Sequence, residues 1–205
     1  MTEKEKMLSG KIYDNTDETL WKERANAHRL CQIYNMTFET ENDKRQEILN
    51  QLLPDCGQGT YLQGPIQFDY GIYTHMGKNF YANFNLTVLD VCPVTIGDNV
   101  FVGPNVSILT PIHPLRWQER NLYLKEDGTL TDKEYAAPIT IGDNCWIAGN
   151  VTIVGGAKIG AGCVIGAGSV VTGNIPDNYL AYGIPCKPVR LITEEDSLEL
   201  MSYLF

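Results

Sequence analysis

A strict six-residue repeat dominates the second half of this chain. From Ile141 the sequence reads IGDNCW, IAGNVT, IVGGAK, IGAGCV, IGAGSV and VTGNIP, so a β-branched residue opens every block up to Val171. An α-helix cannot keep positions six apart on one face, and the glycines would destabilise it by about 1 kcal/mol each. A coil of short parallel strands can, because each block forms one side and one corner while its first residue points inward. The repeat therefore predicts a parallel β-helix.

The same phase appears earlier, at Ile96, Val102 and Ile108, and more weakly from Met76. The phase slips by two residues after Pro93, and the repeat is lost between His113 and Ile139. Long loops inside compact domains are usually functional. The clearest turns run from residue 76 to 189. We expect a helical segment over 1–57, the β-helix over 58–192 with an extruded loop at 114–138, and a C-terminal tail over 193–205.

Two amphipathic helices are predicted within the first segment. Apolar residues recur at helical spacing behind Asp17, a suitable N-cap. A second helix is expected from Lys44 to Leu53, with Thr40 and Asp43 at capping-box spacing and a proline directly after it. Neither helix can bury its apolar face alone, so both should pack on the rest of the chain. The tail, TEEDSLELMSYLF, predicts a short helix.

Composition narrows the classes of partner. The chain has 205 residues and a net charge of −9, which argues against nucleic acid and anionic membranes as partners. It contains no run of about 18 apolar residues, and its N-terminus lacks a secretory apolar core. None of the six cysteines forms a CxxC pair, so no zinc knuckle or redox motif is indicated. We therefore expect a cytoplasmic protein with reduced cysteines.

One of the three histidines has an unusual position. His113 ends a strand of the coil at the mouth of the long loop, between Pro111 and Pro114. Imidazole is the usual general base at neutral pH, and a scaffold corner does not require it. Position alone leaves a catalytic and a structural role both open. His28, in a helix, is expected to be a packing or surface residue, and His75, just before the first repeat, is expected to cap the coil.

Several stretches resemble one family. GKNFYANFNLTVLDVCPVTIGDNVFVGPNV, then HP, then APITIGDNCWIAGNVTIVGGAKIGAGCVIGAGSVVT look like the maltose and galactoside O-acetyltransferases, which are hexapeptide-repeat acyltransferases. The N-terminal EKEKMLSGKIYDNTDETL is similar to the maltose type. The resemblance implies a left-handed β-helix, a homotrimer with sites shared between subunits, acetyl-CoA as co-substrate without a metal, and a sugar hydroxyl as acceptor.

The resemblance also implies roles for individual residues. His113 matches the general base, and Asn83 matches an asparagine that assists the transition state, whereas neighbouring Asn85 is expected only to form a corner. Glu134 resembles a carboxylate that contacts the histidine or the acceptor, although a surface role is equally open. Acceptor binding is implied for Asp69, as in maltose-type members, and for Asp90, for which a turn role is an equal alternative. Galactoside-type members carry an acidic residue where this chain has Val91, and an aspartate where it has Asn15.

Donor positions are implied in the same way. The backbone positions matching those that line the CoA groove are Gly149, Ala167, Thr172 and Gly173. Lys187 and Arg190 match basic positions used for CoA phosphates, although a merely basic face is the alternative. Trp146 is expected either to flank the groove or to pack.

Other functions fit the sequence less well. A different acceptor, such as a galactoside, an antibiotic or an amino sugar, remains open beside a maltose or glucose type. A zinc enzyme on the same coil needs a second histidine five residues after His113, where this chain has Gln118. A non-enzymatic scaffold leaves His113, Asn83 and the long loop unexplained.

Overall fold

A computed structural model describes residues 1–200. The three helices of the first segment are α1 (Glu3–Leu8), α2 (Glu18–Asn35) and α3 (Asn42–Leu52). As predicted, Asp17 caps α2, and its carboxylate accepts hydrogen bonds from the Thr19 and Leu20 amides. Helix α3 begins after Glu41 without a side-chain cap, so the expected capping box was wrong.

The β-helix has three faces. The seven-stranded face contains β1 (Tyr61–Leu62), β4 (Tyr81–Ala82), β7 (Phe101–Val102), β14 (Trp146–Ile147), β17 (Val164–Ile165), β20 (Tyr179–Gly183) and β21 (Cys186–Leu191). The middle face contains β2 (Ile66–Phe68), β5 (Leu86–Leu89), β8 (Ser107–Leu109), β15 (Thr152–Val154) and β18 (Val170–Val171). The third face contains β3 (Thr74–Met76), β6 (Val94–Ile96), β13 (Ile139–Ile141), β16 (Lys158–Ile159) and β19 (Asn174–Ile175). The predicted β-helix is confirmed.

Strand register explains the slip in the repeat. In the early turns, paired residues on neighbouring coils lie 20 positions apart, as for Asn85 and Asn105. The two extra residues of each early turn fall at the corner between the middle and third faces. The first turn also carries this insertion, so its sequence does not show the six-residue period. The coil therefore begins at Tyr61, although the recognisable repeat starts only at Met76. The extruded loop leaves from the same corner one turn later, since Asn105 pairs with Asn150 at 45 positions.

Columns of aliphatic side chains fill the interior. On the middle face, Val88, Ile108, Ile153 and Val171 lie in register and are all buried. Helices α2 and α3 belong to the same core, and they cover the first turn through a set of buried residues: Ala27, Leu30, Cys31, Tyr34, Ile48, Leu49 and Leu52. The helices therefore close one end of the coil, and the antiparallel β20–β21 pair continues the seven-stranded face at the other end.

The extruded loop has structure of its own. Strand β9 (Pro111–Ile112) lies just before it, and the loop contains α4 (Trp117–Arg120), β10 (Tyr123–Leu124), β11 (Leu130–Thr131) and β12 (Tyr135–Ala136). β10 and β11 form a hairpin, and β12 returns antiparallel to β9. This pairing brings residues just before β12 alongside those just after β9.

The described part of the tail contains two short 3-10 turns, Glu194–Asp196 and Leu198–Leu200. The helix predicted for the tail includes residues 201–205, and this part of the prediction lies outside the described residues. Within residues 1–200, no helix is both long enough and apolar enough to cross a membrane.

Candidate active site

Two corners of the coil carry the predicted site residues. We call the corner between the middle and third faces the histidine corner; it comprises residues 69–73, 90–93, 110–138, 155–157 and 172–173. The corner between the seven-stranded and middle faces is the asparagine corner; it comprises residues 83–85, 103–106, 148–151 and 166–169. One whole face of the coil, formed by β2, β5, β8, β15 and β18, lies between the two corners.

His113 lies directly after β9 and is about half exposed. Its Nδ1 is 3.3 Å from Oδ2 of Asp132 and 3.4 Å from the carbonyl oxygen of Lys133. Both neighbours accept hydrogen bonds, so Nδ1 carries the proton of the neutral ring. Nε2 then keeps its lone pair, and no residue in 1–200 hydrogen-bonds to it. A ring in this tautomer is ready to take a proton from a substrate.

Glu134 is buried beside His113. Its backbone is paired with Tyr13, whose amide donates to the Glu134 carbonyl at 3.2 Å. Burial raises the pKa of the Glu134 carboxyl, and the nearby His113 and the Tyr13 hydroxyl reduce that rise. The Tyr13 hydroxyl faces Glu134 without a hydrogen bond of standard geometry within residues 1–200, and its own pKa is raised by burial and then by Glu134. The surface role considered for Glu134 is therefore wrong.

Asp69 belongs to the same corner, two coils further towards the N-terminus. Its Oδ1 is 3.4 Å from Nε2 of His28 on α2. Burial raises the pKa of Asp69, and His28 partly offsets this effect. The carboxylate is partly exposed, so it remains accessible to a ligand.

Asp90 does not fit acceptor binding. It is 0% exposed, and the Tyr70 amide donates to its Oδ1 at 2.8 Å. The Thr74 hydroxyl donates to its Oδ2 at 2.9 Å. Both oxygens are occupied by the chain itself, so the geometry corrects the predicted sugar contact and supports the alternative turn role.

Asn83 lies at the asparagine corner. Its Oδ1 accepts from the Phe84 amide at 2.8 Å, and its side-chain nitrogen has no partner within residues 1–200. Asn85 adopts φ 62° and hydrogen-bonds to Asn105, as expected for a corner residue. Of these two asparagines, Asn83 is therefore the one whose side-chain N–H groups are not engaged within residues 1–200.

The predicted donor residues divide between the two corners. Gly149 and Ala167 join Asn83 at the asparagine corner, whereas Thr172 and Gly173 lie at the histidine corner. A Cβ added at Gly173 would meet no atom within 4 Å, so this position faces open space. Trp146 is exposed on the seven-stranded face, so it does not pack into the core of its own chain.

The two basic candidates differ in their surroundings. Lys187 is exposed and forms no ion pair within residues 1–200. Arg190 makes two hydrogen bonds to the Asp196 carboxylate, at 2.8 and 2.6 Å. Of the pair, Lys187 is thus the residue with an unengaged charge.

Known proteins match almost the whole chain. The maltose acetyltransferase hexapeptide capping motif matches residues 6–57, and the bacterial transferase hexapeptide family matches residues 138–173. The Escherichia coli K12 galactoside O-acetyltransferase is 38% identical over 94% of this chain and 90% of its own. The chain belongs to the maltose and galactoside O-acetyltransferase family.

Solved structures of this acetyltransferase family agree with the fold. A maltose O-acetyltransferase from Clostridium difficile 630 is 47% identical, covers 95% of this chain and 99% of its own, and has a TM-score of 0.86. A galactoside acetyltransferase in complex with coenzyme A is 38% identical, covers 96% of this chain and 94% of its own, and has a TM-score of 0.85. The chain is thus an acyltransferase.

Sequence reasoning missed three groups near the candidate site. Asp132 contacts His113, Tyr13 faces Glu134, and Arg24 lies near the Tyr70 hydroxyl. No sequence pattern marks them, because the loop and the N-terminal segment meet only after folding. Within residues 1–200, no cluster of His, Cys, Asp and Glu has the arrangement of a metal site.

Proposed function

We propose that the protein transfers an acetyl group from acetyl-CoA to a hydroxyl of a maltose- or glucose-type sugar, with His113 as general base. The observation that carries the proposal is the His113 ring itself. Its Nδ1 faces two acceptors, and its Nε2 is exposed at a corner that also holds Asp69 and Glu134. A positioned base of this kind contributes about 10²–10⁴-fold to rate.

The reaction balances with one proton relay. Nε2 of His113 takes the proton of the acceptor hydroxyl as that oxygen attacks the thioester carbonyl. The new C–O bond forms, and the C–S bond of the tetrahedral intermediate then breaks. The imidazolium returns its proton to the leaving sulfur, so free CoA thiol and the sugar ester are released. The side-chain N–H of Asn83 is a suitable donor to the oxyanion, for which one donor is worth about 2.7–4 kcal/mol.

Acetyl-CoA as donor is supported by relatives and by the surface. Two solved relatives are described in complex with acetyl-CoA or coenzyme A. In this chain Gly173 faces open space, which permits close approach of a pantetheine arm to the backbone. The charge on Lys187 suits a CoA phosphate, and Trp146 offers an exposed ring to flank the groove. Arg190 joins this set only if a phosphate displaces Asp196.

The acceptor side depends on Asp69. Its carboxylate can accept hydrogen bonds from sugar hydroxyls, and His28 holds it from one side. The resemblance to the maltose type implies the same role for this aspartate. Because Asp90 is enclosed, Asp69 is the carboxylate of the pair that a sugar can reach.

A complete site needs two copies of the chain. Asn83 and His113 occupy different corners, with one whole face between them. A symmetric trimer would bring the asparagine corner of one copy to the histidine corner of the next, and most homo-oligomers have such closed symmetry. Gly149 and Ala167 would then reach the same groove as Thr172 and Gly173.

An acceptor panel tests this proposal. Thiol release from acetyl-CoA would be followed with maltose, glucose, a galactoside and an aminoglycoside, and each product would be identified by mass spectrometry. We expect release that depends on a glucosyl sugar, with an O-acetyl product. Release only with the galactoside or the aminoglycoside would show that the acceptor is not a maltose- or glucose-type sugar. No release with any hydroxyl compound would contradict sugar O-acetylation.

A further inference from the structure

The extruded loop, which leaves the coil after β9, folds back and places the carboxylate of Asp132 next to His113. Asp132 lies just after β11, and its Oδ2 is 3.3 Å from Nδ1 of His113. The Asp132 side chain is only 18% exposed, whereas the His113 side chain is 47% exposed, so solvent screens the pair in part. Apo contacts of this length commonly shorten when substrate binds.

The second oxygen of Asp132 has a different partner. Asn15 donates from Nδ2 to Oδ1 of Asp132 at 2.6 Å. Asn15 follows Tyr13, which is bridged to Glu134, and Asp14, which forms a 2.7 Å ion pair with Lys125. The N-terminal segment therefore holds the loop at three neighbouring points, and Asn15 fixes the carboxylate that faces the histidine.

Glu134 does not perform this task. It lies close to His113, but within residues 1–200 no ion pair or hydrogen bond joins the two side chains. Its carboxyl is buried against Tyr13 instead. The titratable groups near the His113 ring are thus Asp132, which contacts Nδ1, and Glu134, which lies further away and packs against the Tyr13 phenol.

From this geometry, we propose that Asp132, anchored by Asn15, is the positioning residue of His113. This inference rests on the proposed function. Asp132 faces Nδ1 beside the Lys133 carbonyl oxygen at 3.4 Å, and its negative charge favours the tautomer with the proton on Nδ1, so that Nε2 keeps its lone pair for the acceptor hydroxyl. This charge also stabilises the imidazolium that forms when Nε2 takes the proton and before the CoA sulfur receives it.

The test uses Asp132→Asn, with Asp127→Asn as the matched control from the exposed part of the same loop. We expect Asp132→Asn to lower kcat about 10–100-fold, which is less than loss of the base itself, with KM for acetyl-CoA within about 2-fold. The acidic limb of the pH–kcat profile should move to lower pH, since a neighbouring carboxylate favours the charged ring. Asn15→Ala, which removes the donor that anchors Asp132, should also lower kcat, by less than Asp132→Asn.

A second measurement does not depend on the acceptor. The chain has three histidines, so ¹⁵N-histidine NMR of the resting protein can resolve His113, with His28→Ala and His75→Ala for assignment. At a pH where the ring is neutral, the ¹⁵N shifts should show the proton on Nδ1 in the wild type, and Asp132→Ala should increase the share of His113 with the proton on Nε2. An unchanged tautomer ratio in Asp132→Ala would overturn the inference even if no sugar is acetylated. So would a kcat loss that comes with a raised KM and a lower melting temperature but no shift of the acidic limb.

Discussion

Asn83 and His113 lie at different corners of the β-helix, with the middle face of the coil between them. The side-chain nitrogen of Asn83 and Nε2 of His113 are both without partners in the described part of the chain. In a cyclic assembly, the Asn83 edge of one copy can meet the His113 edge of the next copy. The oxyanion donor and the base would then lie in one site.

Mixing two inactive variants tests this arrangement. His113→Ala and Asn83→Ala should each be nearly inactive alone. In a ring of three, every mixed trimer has one interface with both native residues, so random mixing of equal amounts should restore about one quarter of wild-type activity. The measurement is thiol release after co-refolding or co-expression. Restoration of no activity in trimers of verified mixed composition would show that each site lies within one chain.

Asp69 and Asp90 should respond differently to substitution. Asp69→Asn removes an accessible acceptor of sugar hydrogen bonds, so we expect KM for the sugar to rise about 10-fold, since hydrogen bonds to charged groups contribute about 1.5–3 kcal/mol. KM for acetyl-CoA should not change. The experiment measures steady-state kinetics with each substrate varied. An unchanged sugar KM would remove Asp69 from the acceptor site.

Asp90→Ala should affect stability. The substitution leaves the Tyr70 amide and the Thr74 hydroxyl buried without their acceptor, which costs about 2–4 kcal/mol. Urea unfolding should show this loss, while the sugar KM of the folded fraction stays near wild type. A stable variant with a strongly raised sugar KM would restore Asp90 to the acceptor site.

The ion pair between Asp14 and Lys125 should stabilise the folded state in a way that depends on pH. Burial raises the pKa of Asp14, but hydrogen bonds from Lys125 and Thr16 outweigh this and lower the pKa to about 2. Because the folded-state value lies below the unfolded one, the contribution is complete above about pH 4 and disappears as the pH falls towards 2. Asp14→Asn should therefore cost about 1 kcal/mol at pH 7 and progressively less below pH 4. A difference in unfolding free energy that is constant with pH would contradict the ion pair.

The interior column predicts unequal effects of two neighbouring residues. Ile153 is buried between Ile108 and Val171, whereas Val154 points outward and is partly exposed. Ile153→Ala should lower the unfolding free energy by about 2–5 kcal/mol, and Val154→Ala by about 1 kcal/mol or less. Thermal unfolding of both variants checks the inward phase of the repeat, and equal effects would contradict it.

The coil was predictable because its constraint is local and periodic. Each inward position, such as Ile153, repeats every six residues, so the sequence itself displays the register. The early turns were harder to recognise, since the extra residues beside Asp69 and Asp90 break the period. The histidine corner is therefore the place where the repeat fails in three successive turns, a signal that was present in the sequence as the slip after Pro93.

The contacts of the site were less predictable. His113 and Glu134 could be named from their resemblance to a family, but Asp132 and Asn15 meet across 117 positions of sequence. Such pairing depends on how the loop folds back along β9. The enclosure of Asp90 was equally hidden, because the Tyr70 amide that occupies it comes from the preceding turn.

The central claim is that His113 is the base, and His75 provides a matched control. His75 is 48% exposed, similar to His113 at 47%, and it also faces an aspartate, Asp55 at 3.0 Å, but away from the histidine corner. The decisive measurement is kcat of His113→Ala and His75→Ala, with acetyl-CoA affinity of both determined by calorimetry. The account predicts that His113→Ala loses about 10²–10⁴-fold in kcat with donor affinity unchanged, and that His75→Ala keeps wild-type turnover. Wild-type turnover in His113→Ala would contradict it.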